Sequence, residues 1–143
     1  MPEGCKLCRE LEEGDMVVYR DDYCFCIFAK WPIKEGHLMV LPVRHVGDVS
    51  DLTEKESKAM FGCIGLFQKV LPELYGAHAM VIQNPVQKRT EEHLHYHILP
   101  STGGIRDLFT NFEKTPYRVD VPREEMGRTA EHIRSALGKY LKD

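Results

Sequence analysis

Three histidines alternate with apolar residues in the run His93-Leu94-His95-Tyr96-His97-Ile98-Leu99. On an extended strand His93, His95 and His97 point to one face, and Leu94, Tyr96 and Ile98 to the other. The apolar side packs, so the imidazole side faces a polar site. Imidazoles in that arrangement can do two kinds of chemistry. Neighbouring positions on one face are about 6.6 Å apart at the backbone, close enough for two rings to chelate one zinc ion. The outer pair is about 13 Å apart, which excludes all three rings from one ion. Alternatively, a neutral imidazole held in one tautomer is a nucleophile and a proton shuttle, able to attack phosphorus. A second chemistry-bearing motif is Cys5-Lys6-Leu7-Cys8. It reads as half of a metal site or as a redox pair. Redox pairs usually follow a strand and open a long helix. Here the motif starts the chain, which favours the metal.

The elements that must position these groups follow from periodicity. A short helical turn is predicted over 5–12. Strands are predicted over 16–20 and 23–29, joined across Asp21-Asp22. A loop spans 31–36, and a strand over 37–41 is closed by Pro42. A long helix follows a capping box, Thr53 with Glu56. Its apolar stripe is Met60, Ile64, Phe67, Val70, Leu71 and Leu74; Pro72 disturbs its last turn and Gly76 ends it. Strands are expected over 78–83 and 93–99, and 101–121 is expected to be irregular. Pro122 opens a terminal helix with Met126, Ala130, Ile133, Leu137 and Tyr140/Leu141 on one face. This order predicts an α+β fold: a mostly antiparallel sheet of about five strands, with the long helix packed on it and a helix at the C-terminus.

The 143 residues, 43% hydrophobic and 29% charged, suffice for one domain with a real core. That domain is expected to span 1–143, with its core over about 5–100 and an extension over 101–143. A net charge of −3 argues against nucleic-acid binding driven by phosphate neutralisation. No run approaches 18 apolar residues, and the start, Met1 to Lys6, lacks an apolar signal-peptide core, so neither membrane nor export is expected. With an odd number of cysteines, five, this predicts a reducing cytoplasm. Cys24, Cys26 and Cys63 read as small buried hydrophobes, and His78 and His132 as ordinary residues.

Two stretches together resemble the histidine-triad (HIT) superfamily. His93–Pro100 is similar to its His-φ-His-φ-His-φ-φ signature. Gly36-His37-Leu38-Met39-Val40-Leu41-Pro42-Val43-Arg44-His45 is similar to its upstream Gly-His-x-Leu-Val-x-Pro-x-x-His strand. The resemblance covers about residues 5–100. It implies that His95 is the nucleophile, attacking a nucleotide α-phosphate to form a nucleotidyl-histidine intermediate, with His37 and His97 lining the same pocket. It implies a structural zinc as well. A zinc-bearing branch and the related galactose-1-phosphate uridylyltransferases hold that ion on residues matching Cys5, Cys8, His45 and His93, a closed Cys2His2 set. Family members are usually homodimers, and the exposed apolar residues Phe61 and Leu66 suit one here.

This sequence departs from the family between Asn84 and Glu92. The loop is about two residues shorter and lacks the glycines. Arg89 stands where Gln is usual. Asn84 and Thr90 match family positions and could hydrogen-bond a phosphate, and Arg89 could pair one or stay solvated. Ala29 replaces the ribose-binding Asp or Asn, leaving Lys30 or Trp31 as the nearest substitutes. The resemblance implies a hydrolase or nucleotidyl transferase for dinucleoside polyphosphates or nucleoside phosphoramidates. The alternative is a nucleotide-binding regulatory module with weak or no catalysis. Transfer to a sugar phosphate is a lesser option, because the chain is short for it.

Overall fold

The computed structural model describes residues 3–141. Residues 1–2 and 142–143, the ends of the expected domain, lie outside the described residues. The chain divides into two compact units, Met1–Thr102 and Gly103–Asp143.

The first unit holds helix α1 (Lys6–Glu13), strands β1 (Val17–Arg20), β2 (Cys24–Phe28) and β3 (Leu38–Pro42), helix α2 (Glu54–Tyr75), and strands β4 (Ala79–Ile82) and β5 (Tyr96–Pro100). The five strands form one antiparallel sheet in the order β1-β2-β3-β5-β4. The β1–β2 turn forms because Asp21 Oδ1 accepts from the backbone N–H of Tyr23 (2.7 Å) and Cys24 (2.8 Å).

The sheet is covered on both faces, and β2 reads as a continuous apolar run for that reason. Cys24 and Cys26 face α2, among Met60, Cys63, Ile64 and Leu71. Phe25 and Ile27 face α1, against Leu7 and Leu11. The three core cysteines are buried, as their sequence context predicts.

The predicted capping box is present. Thr53 Oγ1 accepts from Glu56 N–H (3.2 Å), and the Glu56 carboxylate accepts from Thr53 N–H (2.8 Å). The same carboxylate takes a forked pair from Arg44, at 2.8 Å from both Nε and Nη2. This fork pins the turn after β3, where His45 sits, to the start of α2. Pro72 lies inside α2, and Gly76 caps it in the left-handed conformation.

Three boundaries differ from expectation. The regular part of the triad strand begins at Tyr96, not His93. Pairing with β3 ends at Tyr96 and pairing with β4 at His97, and before them Leu94 N–H bonds to Val46 C=O at 2.6 Å. The second unit contains helix α3 (Ile105–Phe112) where irregular chain was expected. Asp107 Oδ2 accepts from Gly104 N–H (2.8 Å) and caps it, and Ile105, Leu108, Phe109 and Phe112 recur at helical spacing. Helix α4 (Arg123–Leu137) opens after Pro122 as predicted, but it stops before Tyr140 and Leu141. No helix among the described residues is long and apolar enough to cross a membrane.

Candidate active site and metal centre

His37 follows Gly36, whose φ is +80°. A Cβ there would lie 2.7 Å from Tyr75 Cε2 and 2.8 Å from Pro100 Cγ, so only glycine admits this turn. The turn delivers His37 to the edge of β3. Ile33 N–H, an obligate donor, reaches His37 Nδ1 at 3.1 Å. The proton of a neutral His37 is therefore on Nε2, 2.8 Å from His97 Nδ1, which must accept it. His97 then carries its own proton on Nε2, 3.4 Å from Asn84 Nδ2, so the amide must be turned over to present its oxygen as the acceptor. His97 is held in this register between Met39 of β3 and Ile82 of β4.

His95 is oriented differently. Its Nδ1 lies 2.8 Å from the carbonyl oxygen of His93. A carbonyl only accepts, so the proton is on Nδ1 and the Nε2 lone pair is free. The His95 and His97 rings meet edge to face, with centroids 4.9 Å apart. Burial lowers the basicity of all three cavity imidazoles. His97 falls to about 4, through burial and then the neighbouring His95 and His37. His37 and His95 are also lowered, chiefly by burial. At neutral pH the site therefore holds neutral rings in defined tautomers.

A cavity of about 450 Å³ opens over these groups, within the range of small-molecule sites. His37, Asn84, Thr90, His95 and His97 are among its lining residues. Leu7, Ile27, Phe28, Ala29 and Met39 add apolar lining, Lys6, Glu10, Lys30, Lys88 and Glu91 add charge, and the lining residue Trp31 is 85% exposed. Of the residues expected to meet phosphate, Arg89 alone does not line this cavity. Its Nε donates to Asn84 C=O (3.1 Å) and its Nη1 to Gly47 C=O, so it staples the loop before β5 to the turn after β3. Sequence reasoning missed Lys6, Leu7 and Glu10, which form a wall of the cavity. The signal available for them was the Leu7/Leu11 spacing, which fixes the buried face of α1.

Beside the cavity, Cys5, Cys8, His45 and His93 converge, with their donor atoms all within 4.8 Å of one another. A tetrahedral ion at bond lengths of about 2.0–2.3 Å spaces a sulfur and an imidazole nitrogen by about 3.5 Å. The sulfur–nitrogen distances here are 3.4 Å (Cys8 to His93 Nδ1), 3.5 Å (Cys8 to His45 Nδ1) and 3.7 Å (Cys5 to His93 Nδ1). The donor set thus fits such an ion and could hold one. His93 Nε2 lies 2.9 Å from Pro42 C=O, so that nitrogen carries the proton and Nδ1 is left to ligate. Burial lowers His93 to about 4, keeping it neutral. Burial and the adjacent Cys5 push the Cys8 thiol up to about 12, so an ion would have to displace its proton.

Comparison with known proteins bears on the family of the chain. The chain is 30% identical over 103 residues to the AP-4-A phosphorylase of Mycobacterium tuberculosis, covering 69% of this chain and 52% of that protein. It is 33% identical over 90 residues to the asymmetrical bis(5'-nucleosyl)-tetraphosphatase of Schizosaccharomyces pombe, covering 61% and 50%. The chain spans about half the length of these relatives. A HIT family protein from Bacillus anthracis superposes with a TM-score of 0.76 at 17% identity, covering 99% of this chain and all of that one, and so shares its fold. The HIT domain model matches residues 10–104, the span that carries both histidine motifs, and the chain belongs to the HIT family.

Proposed function

We propose that this protein is a nucleotide hydrolase or nucleotidyl transferase acting at a nucleoside α-phosphate, with dinucleoside polyphosphates as the leading substrate class. The observation that carries this reading is His95: buried, neutral, its Nδ1–H on the His93 carbonyl and its Nε2 free at the cavity. In the first step Nε2 attacks the α-phosphorus, forming a P–N bond. The P–O bond to the remaining phosphates breaks, and they leave with its electron pair as a stabilised anion. Asn84, Thr90 and the His97 Nε2–H supply donors around the phosphate oxygens, while His37, with both ring nitrogens committed, fixes the His97 tautomer. In the second step water attacks the same phosphorus and forms a P–O bond, its proton passes to solvent, the P–N bond breaks, and Nε2 recovers its lone pair. The names of the relatives, a phosphorylase and a tetraphosphatase of dinucleoside polyphosphates, support the substrate class.

The ion held by Cys5, Cys8, His45 and His93 is zinc in this reading. A closed Cys2His2 set suits that metal in a structural role and leaves no open position for catalysis. The protein acts in the cytoplasm as a homodimer, consistent with exposed Phe61 (60%) and Leu66 (47%) on α2.

The test is a panel of dinucleoside polyphosphates and nucleoside phosphoramidates, assayed with wild type and His95→Ala. Turnover by wild type and not by the variant is expected. No turnover of any substrate, or equal rates, contradicts the reading.

A further inference from the structure

The two residues between the candidate ligand thiols are also cavity wall. Lys6 and Leu7 line the cavity that holds His95, and Glu10 extends the same wall one turn on. Cys5 and Cys8, one turn apart, instead face His93 and His45. A single helical turn therefore serves two sites on adjacent faces.

Beyond the candidate ligands, apolar packing is the main thing that fixes that turn. Helix α1 has 8 residues, too few to be stable alone. It rests on Leu7 and Leu11 packed against Phe25, Ile27 and Leu41. Lys6 Nζ lies 3.4 Å from Glu91, but Lys6 is 77% exposed, so this pair contributes little. Its N-cap is the Cys5 sulfur itself, which accepts from Cys8 N–H at 3.3 Å. On the facing side, His93 offers Nδ1 to the thiols and its carbonyl to His95.

We infer that the Cys5–Cys8 turn is a positioning element linking the two sites: an ion on Cys5, Cys8, His45 and His93 fixes Lys6 and Leu7 as a wall of the nucleotide cavity, so metal and nucleotide each tighten the other's binding. The inference rests on the metal and nucleotide readings above. An ion held on both α1 and His93 selects one position of α1 relative to the triad strand. A nucleotide filling the cavity contacts that same position. Each ligand then stabilises the state the other prefers, and linkage makes the two factors equal. A factor of about ten lies within the usual range of such coupling.

The experiment titrates the full chain with AMP by calorimetry, zinc-loaded and after chelation, with circular dichroism monitoring the fold. AMP is expected to bind the stripped protein about tenfold more weakly. Zinc affinity, measured on loaded protein by competition with a chromophoric chelator, should rise by the same factor at saturating AMP. This second arm gives the answer even where the stripped protein unfolds. Leu7→Ala keeps all four donors and should retain one zinc per chain while losing most of the linkage. Zinc affinity unchanged by AMP overturns the inference and leaves both readings standing. Absence of bound zinc, or of AMP binding to loaded protein, overturns it together with the reading concerned.

Discussion

His93 and His95 lie two residues apart on the same chain segment, yet their rings are set for opposite work. His93 has Nε2 committed to the Pro42 carbonyl, leaving Nδ1 to the thiols. His95 has Nδ1 committed to the His93 carbonyl, leaving Nε2 to the cavity. The difference is not in residue type or burial, since both are buried histidines whose basicity burial lowers. It lies in which ring nitrogen a backbone carbonyl holds. One carbonyl leaves a ring nitrogen to the thiols, and the other leaves a ring nitrogen to the cavity.

The largest expected effect separates the two directly. His95→Ala should lower turnover at least about a thousandfold, as removal of a nucleophile does, while leaving metal content unchanged. Metal analysis and steady-state rates on the same preparation check both halves. Cys8→Ser should do the reverse, removing the ion and lowering Tm by on the order of 10 °C. A metal-free protein that melts identically with and without chelator breaks this side of the comparison.

Acid should remove the contributions of His97 and Glu56 in separate pH windows. His97 is lowered to about 4 from 6.5, so below pH 6.5 the unfolded chain takes a proton the folded chain refuses. Its contribution is complete above pH 6.5 and is lost as pH falls toward 4. Glu56 is held at about 2 against an ordinary 4.5, chiefly by the Arg44 fork that anchors the His45 turn. Its contribution is complete above pH 4.5 and is lost as pH falls toward 2. Melting curves across pH should therefore show His97→Asn flattening the upper window and Glu56→Gln the lower. Coincident windows would contradict the assignment.

The smallest expected effect concerns the loop between the regions. Arg89→Lys keeps the charge and loses the fork onto Asn84 and Gly47, so kcat/KM should fall only several-fold, about 1 kcal/mol. A loss of a hundredfold or more would return Arg89 to direct phosphate contact.

Much of this arrangement was legible in the sequence because it depends on strict spacing. Alternation placed His95 and His97 on one run, and Thr53 and Glu56 announced the start of α2. The resemblance carried Cys5, Cys8, His45 and His93, which converge as it implied. Three features escaped because they depend on packing or on weaker periodicity. Arg89 turned to backbone carbonyls, an outcome set by the path of two loops distant in sequence. Lys6, Leu7 and Glu10 entered the cavity wall because α1 docks on Phe25 and Ile27, a tertiary choice. Helix α3 was hidden because its eight residues lie between Gly103-Gly104 and Pro116, which dominate a reading by turn residues.

The most direct test of the division between the two histidines is to quench the reaction during turnover without acid and locate the nucleotidyl group by peptide mass spectrometry. The account predicts a phosphoramidate on His95 and none in His95→Ala. Label on His93 or His97, or turnover without any labelled histidine, would contradict it.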